Sequence, residues 1–102
     1  MAAIEVNEEN FDKVVLGSDV PVMVDFFAKW CAPCKALSPI IEEIADQNDG
    51  GYKVCKIDID ESRKLAEKYG VMSIPTIMIF KDGEIKSTRS GLQKKEDLMQ
   101  ML

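Results

Sequence analysis

Two cysteines three positions apart, Cys31 and Cys34, are the residues with the clearest chemical potential in this sequence. They follow an apolar segment typical of a strand and begin a segment typical of a helix, so both sulfurs lie within bonding reach across one helical turn. The amino end of a helix carries partial positive charge, which favours the thiolate form of the leading cysteine. A thiolate beside a thiol that can close a disulfide exchanges two electrons and two protons with another protein. The pair therefore predicts dithiol–disulfide oxidoreductase chemistry.

The composition predicts one small globular domain over residues 1–102, because 46% of the 102 residues are hydrophobic and 30% are charged. The formal net charge of −5, without a basic stripe, argues against nucleic acid as a partner. No apolar run is long enough to span a membrane, and the first residues lack the basic-then-apolar pattern of a secretion signal. We therefore expect a cytoplasmic monomer.

The third cysteine, Cys55, lies in a segment in which apolar and polar residues alternate. We expect it to be a buried core residue without a redox role. Three cysteines in a chain without histidine cannot form a disulfide framework or supply four ligands to a structural zinc ion. We therefore expect no metal site.

Hydrophobic periodicity places the cysteine pair within an alternation of strands and helices. The expected strands are Ala3–Val6, Val22–Phe27, Lys53–Ile59, Thr76–Phe80 and Ile85–Arg89, and the expected helices are 8–16, 32–48, 62–69 and 94–102. The first helix is expected to be capped by Asn7, and the last two strands to be joined by a hairpin turn at Asp82-Gly83. This order predicts an α/β fold whose mixed sheet has helices on both faces.

Asp25 is the one charged residue in the apolar strand Val22–Phe27. Loss of hydration there would raise the pKa of its carboxyl, which suits a proton acceptor for Cys34. The alternative is that Asp25 faces solvent at a strand end. Lys56, on the neighbouring strand, is the expected partner of Asp25, and its alternative is a solvated strand lysine.

The sequence resembles the thioredoxin family, in register, from about Val6 to Leu102. The segments that carry the resemblance are Asp25-Phe26-Phe27-Ala28-Lys29-Trp30-Cys31-Ala32-Pro33-Cys34-Lys35, Pro39, Lys56-Ile57-Asp58, Tyr69-Gly70-Val71-Met72-Ser73-Ile74-Pro75-Thr76, Phe80-Lys81-Asp82-Gly83-Glu84 and Gly91. Ala32 and Ser73 depart from the family pattern, which has glycine at the first position and, in many members, at the second. The resemblance implies a thioredoxin-like α/β fold with a central mixed sheet of four to five strands flanked by four helices.

The resemblance also implies a protein-disulfide reductase that maintains cell redox homeostasis. Cys31, whose sulfur would be the more exposed of the two, would attack a substrate disulfide, and Cys34 would resolve the mixed disulfide. Ala32 and Pro33 would tune the reduction potential, with proline typical of the reducing members of the family. The implied partners are client proteins with reducible disulfides and a separate thioredoxin reductase, usually an NADPH-dependent flavoenzyme. The chain has no glycine-rich nucleotide loop, so we expect it to bind no dinucleotide. Because each cycle changes only two sulfur atoms, we expect no bound cofactor.

Client binding is the role that the resemblance implies for an apolar patch around Cys31, comprising Trp30, Ala32, Pro33, Val71, Ile74, Pro75 and Gly91. From the sequence alone, the peptide bond before Pro75 is expected to be trans, as most X–Pro bonds are. The resemblance reverses this expectation: a cis bond would expose the backbone of Ile74 for pairing with a substrate chain. Two other functions stay open, a disulfide-forming or isomerising enzyme of an oxidising compartment and a non-catalytic binding module.

Overall fold

Five strands form one mixed sheet in the computed structural model, which describes residues 2–102. The strands are β1 (Ile4–Glu5), β2 (Val22–Phe27), β3 (Lys53–Asp58), β4 (Thr76–Lys81) and β5 (Glu84–Ser90), in the order β1-β3-β2-β4-β5. Strand β3 runs parallel to β1 and β2, whereas β4 runs antiparallel to β2 and β5. The predicted mixed α/β sheet is confirmed.

Four helical segments cover the two faces of this sheet. They are α1 (Asp12–Leu16), α2 (Ala32–Asp46), α3 (Arg63–Lys68) and α4 (Lys95–Met101). The first is a π-helical segment in which the N–H of Gly17 donates to the carbonyl of Asp12, at 2.8 Å. Its regular part begins at Asp12, later than predicted, because residues 8–10 form a turn. The predicted cap is present: Oδ1 of Asn7 accepts the N–H groups of Glu9 and Asn10, and the carbonyl of Asn7 accepts the N–H of Phe11, at 3.0 Å.

Alternation along the central strands separates the core into two layers. Val24 and Phe26 of β2 pack with Cys55 and Ile57 of β3 on the face that carries α1 and α3. Met23 of β2 packs on the opposite face, against α2 and α4. Cys55 is fully buried, and burial raises the pKa of its thiol to about 12, which confirms its expected place in the core.

Helix α2 is positioned by a stripe of fully buried side chains, Leu37, Ile41 and Ile44, that faces the second layer. Pro33 lies in its first turn, where the missing N–H costs no helical hydrogen bond. The helix ends at Asp46, two residues before the predicted end. Burial of this stripe fixes the amino end of α2 beside the carboxyl end of β2, where the cysteine pair lies.

Asp25 is only 1% exposed in the middle of this core, so the alternative placement at a solvent-facing strand end is wrong. Burial raises the pKa of its carboxyl from 3.8 to about 7. The folded protein therefore holds a proton that the unfolded chain releases between about pH 4 and pH 7. Stability falls as the pH rises through this range, by about 4 kcal/mol in total if each pKa unit is worth about 1.4 kcal/mol.

We predict that Asp25→Asn becomes progressively more stable than the wild type as the pH rises from 4 to 8, because the amide has no proton to lose. The measurement is the free energy of unfolding of the oxidised protein, from denaturant titrations across this range. Asp12→Asn, which removes an exposed carboxylate, is the matched control and should change the free energy little at any pH. A difference for Asp25→Asn that is constant with pH would contradict the raised pKa.

Candidate active site

The two cysteines form a disulfide with a Cα–Cα distance of 5.2 Å. Cys31 has an extended backbone and immediately precedes α2, whereas Cys34 lies in the first turn of that helix. The backbone N–H of Cys34 donates to Sγ of Cys31, at 3.2 Å. The sulfur of Cys31 thus occupies the position of a helix cap, where the same N–H group and the helix dipole would stabilise a thiolate after reduction.

Both cysteines are buried, at 5% exposure for Cys31 and 3% for Cys34. The greater exposure that the resemblance implies for Cys31 is therefore very small in the disulfide form. The two cysteines differ instead in their position on α2: Cys31 caps the helix and Cys34 lies in its first turn. They pack with Ala28, and Phe27, Ile59 and Ile74 surround this small apolar cluster.

The loop before β4 also contacts the disulfide. The Ile74–Pro75 peptide bond is cis, as the resemblance implies, and the trans bond expected from general statistics is wrong. Sγ of Cys31 lies 3.8 Å from the carbonyl oxygen of Ile74. The carbonyl of Pro75 in turn accepts the N–H of Gly91, at 2.8 Å, which ties the end of β5 to this loop.

Exposed or partly exposed apolar residues flank, in sequence, the cysteine pair, the Ile74–Pro75 bond and the end of β5, and we call this set the apolar rim. It consists of Trp30, Ala32, Pro33, Val71, Met72, Ile74, Gly91 and Leu92, all exposed or partly exposed. Met72 is 96% exposed and Leu92 is 57% exposed, yet neither was predicted from the sequence to belong to this surface. Pro75, which it did select, is buried and therefore adds little to this surface.

Trp30 is the largest side chain of the apolar rim and is 68% exposed. Its indole Nε1–H donates to Oδ2 of Asp60, at 2.8 Å, and this bond fixes the ring beside the cysteines. Asp60 was not among the residues predicted for the site. The available signal was its position two residues after the end of β3, a strand end that the sheet brings close to the carboxyl end of β2.

A cavity of about 340 Å³ lies behind the disulfide, and it joins Cys34 to Asp25. Oδ1 of Asp25 is buried and has no hydrogen-bond partner within residues 2–102. The lining is mostly apolar, but the side chains of Asp25, Ser38 and Lys56 supply polar groups, and the volume leaves room for water that could link the carboxyl to the thiol. The other residues that line it are Phe27, Ala28, Lys29, Lys35, Ser38 and Lys56.

Lys56 lies opposite Asp25 in the register between β2 and β3. Its ammonium, however, is 3.6 Å from Oε2 of Glu42 and donates to Oγ of Ser38, at 3.3 Å. The side chain is only 18% exposed, so it is not the solvated lysine of the alternative interpretation. Its positive charge lowers the pKa of Asp25, but the opposing effect of burial is larger.

Within residues 2–102, no group of three or more cysteine, aspartate or glutamate side chains is placed to hold a metal ion. In the same part of the chain, none of the helices has the length and apolarity that a membrane-spanning segment requires.

Comparison with known proteins identifies the family. The sequence model of the thioredoxin family matches residues 2–102. A thioredoxin of Rickettsia felis is 53% identical over 97 residues, which cover 95% of this chain and 92% of that protein. A thioredoxin of Pseudomonas aeruginosa is 43% identical, with 97% of this chain and 92% of that protein covered. Thioredoxin 1 of a Nostoc species is 46% identical, with 99% and 94% covered.

These similarities extend over nearly the whole chain and agree with the observed sheet, helices and paired cysteines. The family match and the site geometry therefore lead to the same chemistry. The chain belongs to the thioredoxin family, and its Cys31–Cys34 pair makes it a thiol–disulfide oxidoreductase.

Proposed function

We propose that this protein is a general protein-disulfide reductase of the cytoplasm, which donates electrons to client enzymes and is itself reduced by a separate thioredoxin reductase. The observation that carries this proposal is the sulfur of Cys31 at the amino end of α2, bonded to the N–H of Cys34 and bordered by an exposed apolar rim. A reactive sulfur beside an apolar surface suits the capture of exposed client segments of varied sequence.

In the first step, the Cys31 thiolate attacks one sulfur of a client disulfide. A mixed disulfide forms between Cys31 and that sulfur, the client's S–S bond breaks, and the other client sulfur leaves as a thiolate. The carbonyl of Ile74, 3.8 Å from the attacking sulfur, lies where the backbone of an extended client segment would pair. The apolar rim would supply the remaining contacts.

In the second step, Cys34 loses its proton and attacks the sulfur of Cys31. The Cys31–Cys34 disulfide forms again and the client leaves as a dithiol, having gained two electrons and two protons. Asp25 is the proposed proton acceptor, because it shares a cavity with Cys34 and its pKa of about 7 lets it bind and release a proton near neutrality. The reductase then returns two electrons to the disulfide.

The turn between the cysteines would set the reduction potential of the Cys31–Cys34 pair. Pro33 has no backbone N–H with which to stabilise a thiolate, and Ala32 adds no charge. A turn of this kind favours reduction of client disulfides over their formation. Because the couple transfers two electrons, a difference in reduction potential of about 30 mV corresponds to a free-energy difference of about 1.4 kcal/mol.

We predict that the wild type catalyses reduction of insulin disulfides when it is coupled to a bacterial thioredoxin reductase and NADPH. Cys31→Ser should abolish turnover, because the attacking sulfur is lost, whereas Cys34→Ser should accumulate a mixed disulfide with the client. Cys55→Ser, a change at the buried cysteine outside the pair, is the control and should retain turnover. Absence of turnover by the wild type, or full activity of Cys31→Ser, would refute the proposed function.

We predict that Asp25→Asn slows resolution of the mixed disulfide about tenfold or more near pH 7. In the wild type the rate should rise with pH as the Asp25 carboxyl loses its proton around pH 7, and this rise should be absent in the variant. Stopped-flow measurement between pH 6 and pH 8, with Asp12→Asn as control, tests the proton-acceptor role. Equal rates for the wild type and Asp25→Asn would remove that role.

A further inference from the structure

The ammonium of Lys56 is held on the α2 side of its cavity by two groups. Glu42 contributes an ion pair at 3.6 Å and Ser38 accepts a hydrogen bond at 3.3 Å. Both lie on α2, one helical turn apart. Phe27 packs beneath the same ammonium, with its ring centroid 4.9 Å from Nζ. These contacts fix a side chain that otherwise has high rotational freedom.

Glu42 is itself held in place, which makes it a fixed charge. Its Oε1 accepts the backbone N–H of Ala3, at 3.0 Å, while Oε2 pairs with Lys56. The Glu42 side chain is 37% exposed and the Lys56 side chain is 18% exposed, so solvent screens this pair only in part.

Two carboxyl groups therefore compete for one lysine. Lys56 lies opposite Asp25 in the β2–β3 register and lines the same cavity, but its ion pair is with Glu42. A lysine paired directly with Asp25 would favour the ionised carboxylate at every pH near neutrality. Such a carboxylate would be a weaker proton acceptor for a thiol.

We propose that Glu42 is a positioning residue for thiol–disulfide exchange: its carboxylate holds the Lys56 ammonium against α2 and so limits its interaction with the Asp25 carboxyl. This inference rests on the proposed proton-acceptor role of Asp25. It assigns to Glu42 the task of keeping that carboxyl able to exchange its proton at neutral pH.

The charges around Asp25 agree with this assignment in sign. Lys56 of β3 lowers the pKa of Asp25, and Glu42 of α2 raises it. Lys35 of α2 and Lys29, after the end of β2, also line the cavity. The residue opposite Asp25 on β4 is the apolar Ile77. Removal of the Glu42 charge removes one negative group and releases the Lys56 ammonium, and both changes stabilise ionised Asp25.

The primary experiment follows the side-chain carboxyl carbon of Asp25 by NMR as a function of pH. In Glu42→Gln we expect the Asp25 titration to move to lower pH by about 0.5 unit or more. The matched control is Glu43→Gln, which removes the neighbouring α2 carboxylate, paired with Lys95 at 2.8 Å, and should leave the titration of Asp25 unchanged. An unchanged midpoint in Glu42→Gln, or an equal shift in Glu43→Gln, would overturn the proposal.

A second pair of variants tests whether Glu42 acts through Lys56. Lys56→Met should raise the midpoint of the Asp25 titration, and adding Glu42→Gln to it should then cause a smaller shift than in the wild type. An equal shift in both backgrounds would show direct action of the Glu42 charge and would contradict a positioning role. Ser38→Ala, which removes the other group that holds Lys56, should move the midpoint of the Asp25 titration in the same direction as Glu42→Gln. An unchanged midpoint would contradict the proposal that contacts with α2 hold the Lys56 ammonium away from Asp25.

The pH profile of mixed-disulfide resolution separates this inference from the proposed function. We expect the profile of Glu42→Gln to move to lower pH by the same amount as the titration of Asp25, and we expect no such movement in an Asp25→Asn background. A profile that moves equally in both backgrounds would overturn the positioning role. If Asp25→Asn leaves the wild-type profile unchanged, the proton-acceptor role fails, while the NMR titration still decides whether Glu42 restrains Lys56.

Discussion

The contact between the amino end of α2 and the sulfur of Cys31 is the interaction on which the rest of the site depends. The N–H of Cys34 donates to that sulfur, at 3.2 Å, so the helix places its partial positive charge where a thiolate would form. The buried stripe Leu37, Ile41 and Ile44 anchors the helix to the sheet. The core thus sets the reactivity of a group at its edge. Without this packing, the Cys31 thiol would lack the stabilisation of its thiolate by the helix.

The same packing produces a cost at Asp25. A carboxyl in the central strand, 1% exposed, destabilises the folded state once it ionises, because burial disfavours the charge. Two neighbouring charges act on this carboxyl in opposite senses. Lys56 stabilises the ionised form, whereas Glu42 disfavours it and forms the ion pair with Lys56. Stability is therefore lower than an apolar residue would allow, and in the proposed mechanism the gain is a proton acceptor next to Cys34. Functional sites commonly retain such local conflicts.

Local patterns were sufficient for much of the fold. The apolar run of β2, the stripe of α2 and the alternation around Cys55 each have a period that matches the observed burial. The cap at Asn7 was predicted correctly, but the start of α1 was placed too early, because residues 8–10 form a turn rather than regular helix. The cis bond before Pro75 was accessible only through the resemblance, since local preferences favour trans.

Contacts between segments distant in sequence account for what was missed in the site. Asp60 bonds to Trp30 across 30 positions, and Glu42 pairs with Lys56 from a helix to a strand. Neither pair has a periodicity that a single sequence reveals.

The central claim is that Cys31, and not Cys34 or Cys55, provides the reactive thiolate. Alkylation of the fully reduced protein with substoichiometric iodoacetamide at pH 7, followed by peptide mass spectrometry, tests this claim most directly. The account predicts that Cys31 is modified first, faster than a simple peptide cysteine, and that Cys55 is protected while the protein is folded. Modification of Cys34 before Cys31, or a Cys31 rate no higher than that of the peptide, would contradict it.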